Sequence, residues 1–381
     1  MRAGLYIHFP FCLKKCLYCD FNSAPLAGGD VDGYVESLLR EMELRGAALA
    51  EEVTAPTLYF GGGTPSLMGP ELVGRVIDEA AKRFHLEADA EVTLEANPGT
   101  LTPQRLSGYR AAGVNRLSLG FQSFEERLLQ RLGRVHTVRE ALDAFDQARR
   151  AGFDNIGIDL MHSLPEQTLS QWREALAQGI ALAPEHVSAY ALSVEEGTPF
   201  SRLYQDDALP LPGEEEGALM FEATHELLTD GGYLHYEISN FARPGRFSRH
   251  NGSYWRRESY LGFGAGAHSF RNADGLGRRW KNACDPGEYR DSIAAGAIPE
   301  QDVELLTLEE AVSESFFLGL RVLSGLDLAP LLARYGKEAL ERQLAEVARL
   351  EREGMLVREG SSVRLAPRAV IVANSIFSRF L

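Results

Sequence analysis

Cysteine is scarce in this sequence, four in 381 residues, which rules out a disulfide framework for a chain of this size. No apolar stretch approaches the roughly 20 residues that span a bilayer, and no charged n-region followed by an apolar h-region opens the chain. A cytoplasmic protein with reduced thiols is therefore expected. Positive charge is also in deficit: 39 Lys and Arg stand against 54 Asp and Glu, a formal charge of −15. Binding to phosphate backbones needs concentrated cations, so a nucleic-acid partner is excluded. There is no low-complexity tract, charge block or repeat of close sequence. What remains is an ordinary globular composition, 45% hydrophobic, long enough for one large domain and a smaller one.

Three of the four cysteines are crowded together. Cys12, Cys16 and Cys19 lie in FPFCLKKCLYCDF with the spacing C-x3-C-x2-C, directly after the apolar run Leu5–Phe9. A four-iron cluster wants four ligands, commonly four cysteines, so three thiolates alone leave one iron open to a small molecule. The residue chemistry also admits tetrahedral zinc, held by the three thiolates and a histidine such as His8. The spacing itself resembles that of radical S-adenosylmethionine proteins, in which the amino and carboxylate groups of the methionine moiety chelate the open iron. Cys284, far downstream in WKNACDPGEY, reads as a packing or surface thiol.

Periodicity gives β-rich runs near 4–9, 57–61, 91–96, 115–121, 155–161 and 186–193. Helical patterns cover 31–48, 69–84, 102–112, 137–151 and 167–182, with a short extra helix near 124–132. Six βα units imply an α/β fold with a parallel sheet, open or curled into part of a barrel. The chemically distinctive residues fall at the C-terminal ends of these strands, where α/β barrels build their sites. They are the cysteines, Gly61-Gly62-Gly63-Thr64-Pro65, Glu95, Gly120 to Ser123, Asp159, and the Tyr190–Ser193 stretch. The glycine run fits neither a G-x4-G-K nor a G-x-G-x-x-G loop, so triphosphate and dinucleotide readings fail. It serves either as a tight turn or as backbone brought close to a ligand. Glu95 is a capping carboxylate or a ligand for amino and hydroxyl groups. Gln122 and Asp159 either satisfy backbone or bond ribose or adenine. Arg134, in RLGRVH, is a solvated helix charge or a fork for a carboxylate.

Downstream, 213–231 reads as a helix ended by Gly231-Gly232. YLHYEISNFARPGRFSRHNGSYW and SYLGFGAGAHSF then follow, rich in aromatics, basic groups and glycine. Such a surface suits a planar, anionic, apolar-faced ligand. Tyr254 and Trp255 could lie on a macrocycle, Arg243, Arg246 and Arg249 could meet carboxylates, and His250 or His268 could coordinate iron. The plainer alternative is that His250 and Asn251 tie down a loop. From about 302 the pattern becomes helix, helix, helix, hairpin, that of a winged helix. With ten Lys and Arg against twelve Asp and Glu over 301–381, it reads as a packing or docking module.

Taken together, YIHFPFC, CDFNS, FGGGTPS, LEANPGT, LSLGFQSF, LGRVH, DLMHSLPEQ, YEISNFARPG, RHNGSYW and GAGAHSF resemble one family over nearly the full length. It comprises the radical S-adenosylmethionine proteins related to oxygen-independent coproporphyrinogen III dehydrogenase, and within it the HemW-type haem chaperones. The resemblance implies a partial (β/α)6 barrel over 1–212, an extension with a haem-binding segment over 213–300, and a winged-helix-like domain over 301–381. It implies a 4Fe–4S cluster on Cys12, Cys16 and Cys19. It further implies S-adenosylmethionine held by Tyr6, Phe21, Gly63, Thr64, Glu95, Gln122, Arg134, Asp159 and Ser193, and haem at His250 through the H-N-x-x-Y-W motif. The dehydrogenase branch carries another cysteine two residues after its third ligand and an extension before the cluster strand. Here Phe21 takes that position and the first strand lies close to Met1, features expected of the chaperone branch. Two functions follow. One is delivery of haem to an acceptor haemoprotein, respiratory and membrane-associated, with a small electron donor for the cluster. The other is radical decarboxylation of coproporphyrinogen III.

Overall fold

The computed structural model describes residues 1–26, 29–49, 51–272 and 274–381. In chain order its elements begin with β1 (Ala3–Phe9), the two-residue strands β2 (Phe11–Cys12) and β3 (Ala24–Pro25), α1 (Val31–Ala48), β4 (Ala55–Gly62), α2 (Pro70–Phe84), β5 (Leu86–Ala96) and α3 (Pro103–Ala112). Next come β6 (Arg116–Gln122), α4 (Glu126–Leu132), α5 (Val138–Arg150), β7 (Ile156–His162), α6 (Leu169–Ala181), β8 (His186–Ala191), α7 (Pro199–Gln205) and α8 (Glu214–Asp230). Strands β1, β4, β5, β6, β7 and β8 pair in that order, each parallel to the next. The six βα units are therefore present, with small differences in bounds. The largest is at β5, which begins at Leu86 instead of 91, because the polar stretch LEADAE is extended without an apolar pattern to reveal it.

The reasons are local as well as topological. The apolar residues of β1 and β4 are buried almost throughout, as expected for strands covered on both faces. Helix starts carry side-chain caps: Thr102 accepts from Arg105 N before Pro103, and Thr137 with Glu140 and Thr168 with Gln171 form capping boxes.

The segment after α8 does not stand apart. Its elements are β9 (Leu234–Glu237), β10 (Asn240–Ala242), α9 (Arg249–Trp255), β11 (Ser259–Phe263), β12 (His268–Arg271), β13 (Arg278–Asn282), α10 (Pro286–Ala294) and β14 (Glu300–Leu305). β10 and β9 extend the sheet antiparallel beyond β8, while β11 pairs parallel to the free side of β1 and leads into antiparallel β12, β13 and β14. One twelve-stranded sheet results. At Gly262, in β11, a Cβ would stand 2.1 Å from the His268 carbonyl oxygen, so only glycine permits β12 to fold back so closely.

The C-terminal part contains α11 (Leu308–Gly319), β15 (Leu326–Asp327), α12 (Leu328–Ala339), α13 (Glu341–Arg352), β16 (Leu356–Glu359), β17 (Ser362–Leu365) and α14 (Ala373–Phe377). Helix, strand, two helices and a hairpin in a three-stranded sheet make the winged-helix order. β15 is the strand that the sequence pattern did not disclose. α12 breaks at Gly336, which has φ 80°. This part has its own apolar core, including Phe316, Leu328, Leu350 and Phe380. It is fastened to the sheet by Glu314, which pairs with Arg257 at 3.0 Å and with Arg279.

Candidate functional site

The cysteine segment leaves β1 and is closed into a loop by the parallel pair β2 and β3, where Cys12 faces Pro25 in register. Its middle is pinned from the side: Leu17 N donates to the Leu132 carbonyl, Phe200 N donates to the Leu17 carbonyl, and Lys15 Nζ donates to the Phe21 carbonyl. Its far end is held by Asn22, whose Nδ2 donates to the Cys284 carbonyl at 2.9 Å. The Cys284 thiol itself is exposed. All three loop cysteines are free and half-buried.

Behind the loop, Gly63 N donates to the Phe9 carbonyl and Thr64 N to the Phe11 carbonyl. The glycine run is thus laced to the chain that carries the thiols. A Cβ on Gly63 would stand 2.6 Å from the Phe11 carbonyl oxygen, and one on Gly62, at φ 106°, would meet the His8 ring at 2.6 Å. Gly63→Ala is expected to push the glycine run off β2 and weaken ligand binding in this cavity by about tenfold or more, read by titration with S-adenosylmethionine.

Cys12, Cys16 and Cys19 line a cavity of about 380 Å³ together with Phe21, Gly63, Thr64, Glu95, Gln122, Arg134, Asp159 and Ser193. Sequence separations of over a hundred residues collapse here because all of these residues but Arg134, which follows α4, lie on the parallel strands or in the loops after them. Tyr254, Trp255 and His268 line a second cavity, whereas Arg243, Arg246 and Arg249 line neither and are engaged by the Gly231 carbonyl, Asp154 and Asp89. Two of the residues that the resemblance assigns to the cofactor and to haem also lie outside the cluster cavity. Tyr6 projects into a neighbouring cavity of about 600 Å³. His250 lines neither cavity: it is 1% exposed, with Nδ1 bonded to Thr57 Oγ1 and Nε2 to Tyr254 Oη, both at 2.8 Å. Its ring stacks on Tyr59, and burial, aided by the Arg116 charge, lowers its pKa to about 3.

The polar groups at the cavity wall are only partly satisfied. Arg134 Nη2 donates to the Gly120 carbonyl at 2.9 Å and Nη1 approaches Cys16 Sγ at 3.5 Å, while Nε has no partner. Glu95 accepts from Tyr59 Oη at 2.7 Å, and Asp159 accepts from Ser118 Oγ at 3.2 Å. Burial raises the pKa of both carboxyls, that of Glu95 to about 7. Carboxylates this enclosed without a bonded cation favour a ligand bearing donors or positive charge. Several contributors were not singled out from the sequence. Arg116, 2% exposed with an unpartnered Nε, faces the same cavity, as do Tyr59 and Ser118. An arginine opening an otherwise uncharged strand, RLSLGFQ, was the available signal.

His8 offers nothing to a metal here. Its Nε2 donates to the Asn22 carbonyl at 2.8 Å, which leaves Nδ1 to accept from Tyr6 Oη at 3.1 Å. Among the described residues, no three His, Cys, Asp or Glu side chains converge on a point that would hold a single ion. The zinc alternative thus lacks its fourth ligand and its geometry. A cubane binds each thiolate through a different iron and needs no such convergence.

Comparison with known proteins agrees. Residues 6–178 match the radical SAM superfamily and residues 306–372 the HemN C-terminal domain. The heme chaperone HemW of Bacillus subtilis is 37% identical over 99% of this chain and 98% of its own length. The Escherichia coli protein of the same name is 44% identical over 70% of this chain and 69% of its own. This chain belongs to the HemW-type branch of the radical SAM family. A mitochondrial relative, radical S-adenosyl methionine domain-containing protein 1 of Bos taurus, is 36% identical over the whole chain and 87% of its own length. In fold, the chain superposes on coproporphyrinogen III oxidase (HemN) of Escherichia coli with a TM-score of 0.85 at 22% identity, covering 100% of this chain and 90% of that one.

Membership of this superfamily implies a 4Fe–4S cluster and S-adenosylmethionine. The chain's own residues fit both groups. Three free thiols share one cavity with a partly bonded arginine and two enclosed carboxylates. Burial raises the Cys19 thiol pKa, and iron would offset that cost by taking the thiolate.

Proposed function

We propose that this protein is a cytoplasmic haem chaperone. It binds haem beside a three-cysteine 4Fe–4S cluster carrying S-adenosylmethionine and hands the haem to an acceptor haemoprotein, membrane-associated and respiratory. A small electron donor serves the cluster. In this reading Cys12, Cys16 and Cys19 hold the cluster. Glu95 and Asp159 accept from the amino and hydroxyl groups of S-adenosylmethionine, Arg134 meets its carboxylate, and Gly63, Thr64, Gln122 and Ser193 bound its site. When bound, the cluster supplies an electron to the sulfonium centre. Among the described residues no helix is long and apolar enough to cross a membrane.

The observation that carries the proposal is the second cavity. It has about 600 Å³, within the range of ligand pockets, and shares Phe21 and Gly62 with the cluster cavity. Seven aromatic side chains line it, from Tyr6 through Tyr254 and Trp255 to Phe317. That is a wall for a flat apolar ligand next to a redox centre. The names of full-length relatives support the same reading.

Anaerobic reconstitution with iron and sulfide, followed by haemin, is expected to give a Soret band and transfer of haem to an apo-haemoprotein. Coproporphyrinogen III with reductant is expected to give no vinyl-bearing product. Catalytic formation of that product would overturn the proposal in favour of the dehydrogenase reading.

The Glu95 carboxyl makes binding of S-adenosylmethionine pH-dependent. Only its ionised form attracts the ammonium, and its pKa is raised to about 7. Affinity is therefore flat above pH 7 and falls by up to about tenfold per unit below it, as binding comes to require release of a proton. Calorimetry in buffers of differing ionisation enthalpy reads the proton, and Glu95→Gln flattens the profile.

A further inference from the structure

Away from both cavities, α8 and β9 bring two imidazoles together. His225, exposed on α8, and His235, half-buried in β9, face each other with their Nδ1 atoms 3.1 Å apart. The His235 ring is fixed on its other sides. It stacks on Phe241 with ring centroids 4.0 Å apart, and its Nε2 meets the Ile238 carbonyl oxygen at 3.1 Å. A carbonyl oxygen only accepts, so Nε2 carries the proton and Nδ1 keeps its lone pair. In the neutral pair His225 Nδ1 must then be the donor, and its Nε2 is the bare nitrogen.

We propose that His225 and His235 form a binding site for a divalent transition-metal ion of the zinc class, which bridges α8 to β9. Imidazole nitrogens bind zinc at about 2.0–2.1 Å. Two of them 3.1 Å apart subtend about 98° at such an ion, between the octahedral and the tetrahedral angle. The surroundings of His235 fit as well, since a ligating imidazole ordinarily donates its other N–H to a carbonyl or carboxylate, as His235 does to Ile238. Entry of the ion needs only a tautomer change at His225: its proton moves from Nδ1 to Nε2 on this exposed side chain, and no net proton is released. Glu222, exposed and one turn before His225 on α8, adds negative charge to the approach, while Glu226 is already paired with Arg173 at 3.2 Å. Among the described residues no third His, Cys, Asp or Glu joins the pair. Water therefore completes the coordination, and the ion is exchangeable.

The bridge has a structural consequence. Phe221, one turn before His225, and Ile238, whose carbonyl orients His235, both pack against the apolar core of the C-terminal part. An ion tying α8 to β9 stiffens the support on which that part rests.

The test is isothermal titration of the full chain with zinc chloride, after anaerobic reconstitution so that iron occupies the cluster thiols, in wild type, His225→Gln and His235→Gln. Wild type is expected to show a zinc event that each substitution weakens at least about tenfold, with a thermal midpoint that this event raises in the wild type alone. Zinc is also expected to protect His225 from diethyl pyrocarbonate, as read by peptide mass mapping. His225→Gln alters an exposed side chain, so its fold should survive, as circular dichroism would report, even where His235→Gln disturbs the stacked ring. Zinc taken by any vacant thiol appears equally in wild type and His225→Gln and cancels in the comparison. Identical isotherms for those two proteins, or His225 modified equally with and without zinc, overturn the site and leave the proposed function standing: the pair is then only a hydrogen bond between helix and strand.

Discussion

Replacing Cys12, Cys16 or Cys19 with alanine is expected to abolish the iron–sulfur centre, taking reconstituted protein from about four irons per chain to background. The effect is large because neither His8 nor the fourth cysteine is placed to step in. His8 is committed to Asn22 and Tyr6, and the chain reaches Cys284 through its backbone carbonyl while that thiol stays exposed. The fold should persist, since the half-buried thiols sit in a loop held by backbone bonds to Leu132 and Phe200 and contribute nothing to the apolar core. Iron and sulfide analysis beside a circular dichroism spectrum checks both halves. Retention of iron after any one of these changes would show that the ligand set is wrong.

Glu41→Ala is expected to be the most damaging single change to stability. The Glu41 side chain is fully buried and accepts four hydrogen bonds: from Arg45 Nε at 2.7 Å and from Asn282 Nδ2, Gly264 N and Tyr289 Oη at 2.8 Å each. Its removal strands Gly264 N and Tyr289 Oη and leaves Arg45, itself buried, with Glu300 as its remaining carboxylate beside the Asn282 amide oxygen. Breaking a buried pair from one side costs about 3–5 kcal/mol, measurable as a lower midpoint in urea at unchanged slope. The network joins α1 to the β11–α10 region, which in turn holds Asn22 at the end of the cysteine loop. Cluster loading should therefore fall as well. A midpoint moved by less than the equivalent of about 1 kcal/mol would mean that the network adds little.

The barrel half of the molecule was legible because its signals are local. Apolar runs, turn glycines and Thr-Pro or Thr-x-x-Glu starts are read within a dozen residues, and the site residues other than Arg134 lie on the parallel strands or in the loops after them. The other half depends on distant pairing. β11 joins β1 across more than 250 residues of chain, and nothing in SYLGF alone shows a parallel partner. β15 is two residues long, too short to carry a period. His250 is the instructive case: RHNGSYW forms a helix of only seven residues, and β1 and β4, not the motif, decide that its imidazole faces inward. Tyr6 has the same origin, since alternation shows that it lies on one face of β1 but not which cavity that face borders. Arg116 escaped notice because a charge at the start of a strand ordinarily reaches solvent, whereas here the neighbouring strands enclose it.

The most direct test of the account is electron paramagnetic resonance of the reconstituted, reduced protein before and after addition of S-adenosylmethionine. A cluster on three thiolates with one open iron predicts a 4Fe–4S signal whose g-values shift on addition, and a Glu95→Gln variant that needs more ligand for the same shift. A signal that does not change with S-adenosylmethionine, or protein that takes up zinc in place of iron and sulfide, would contradict it.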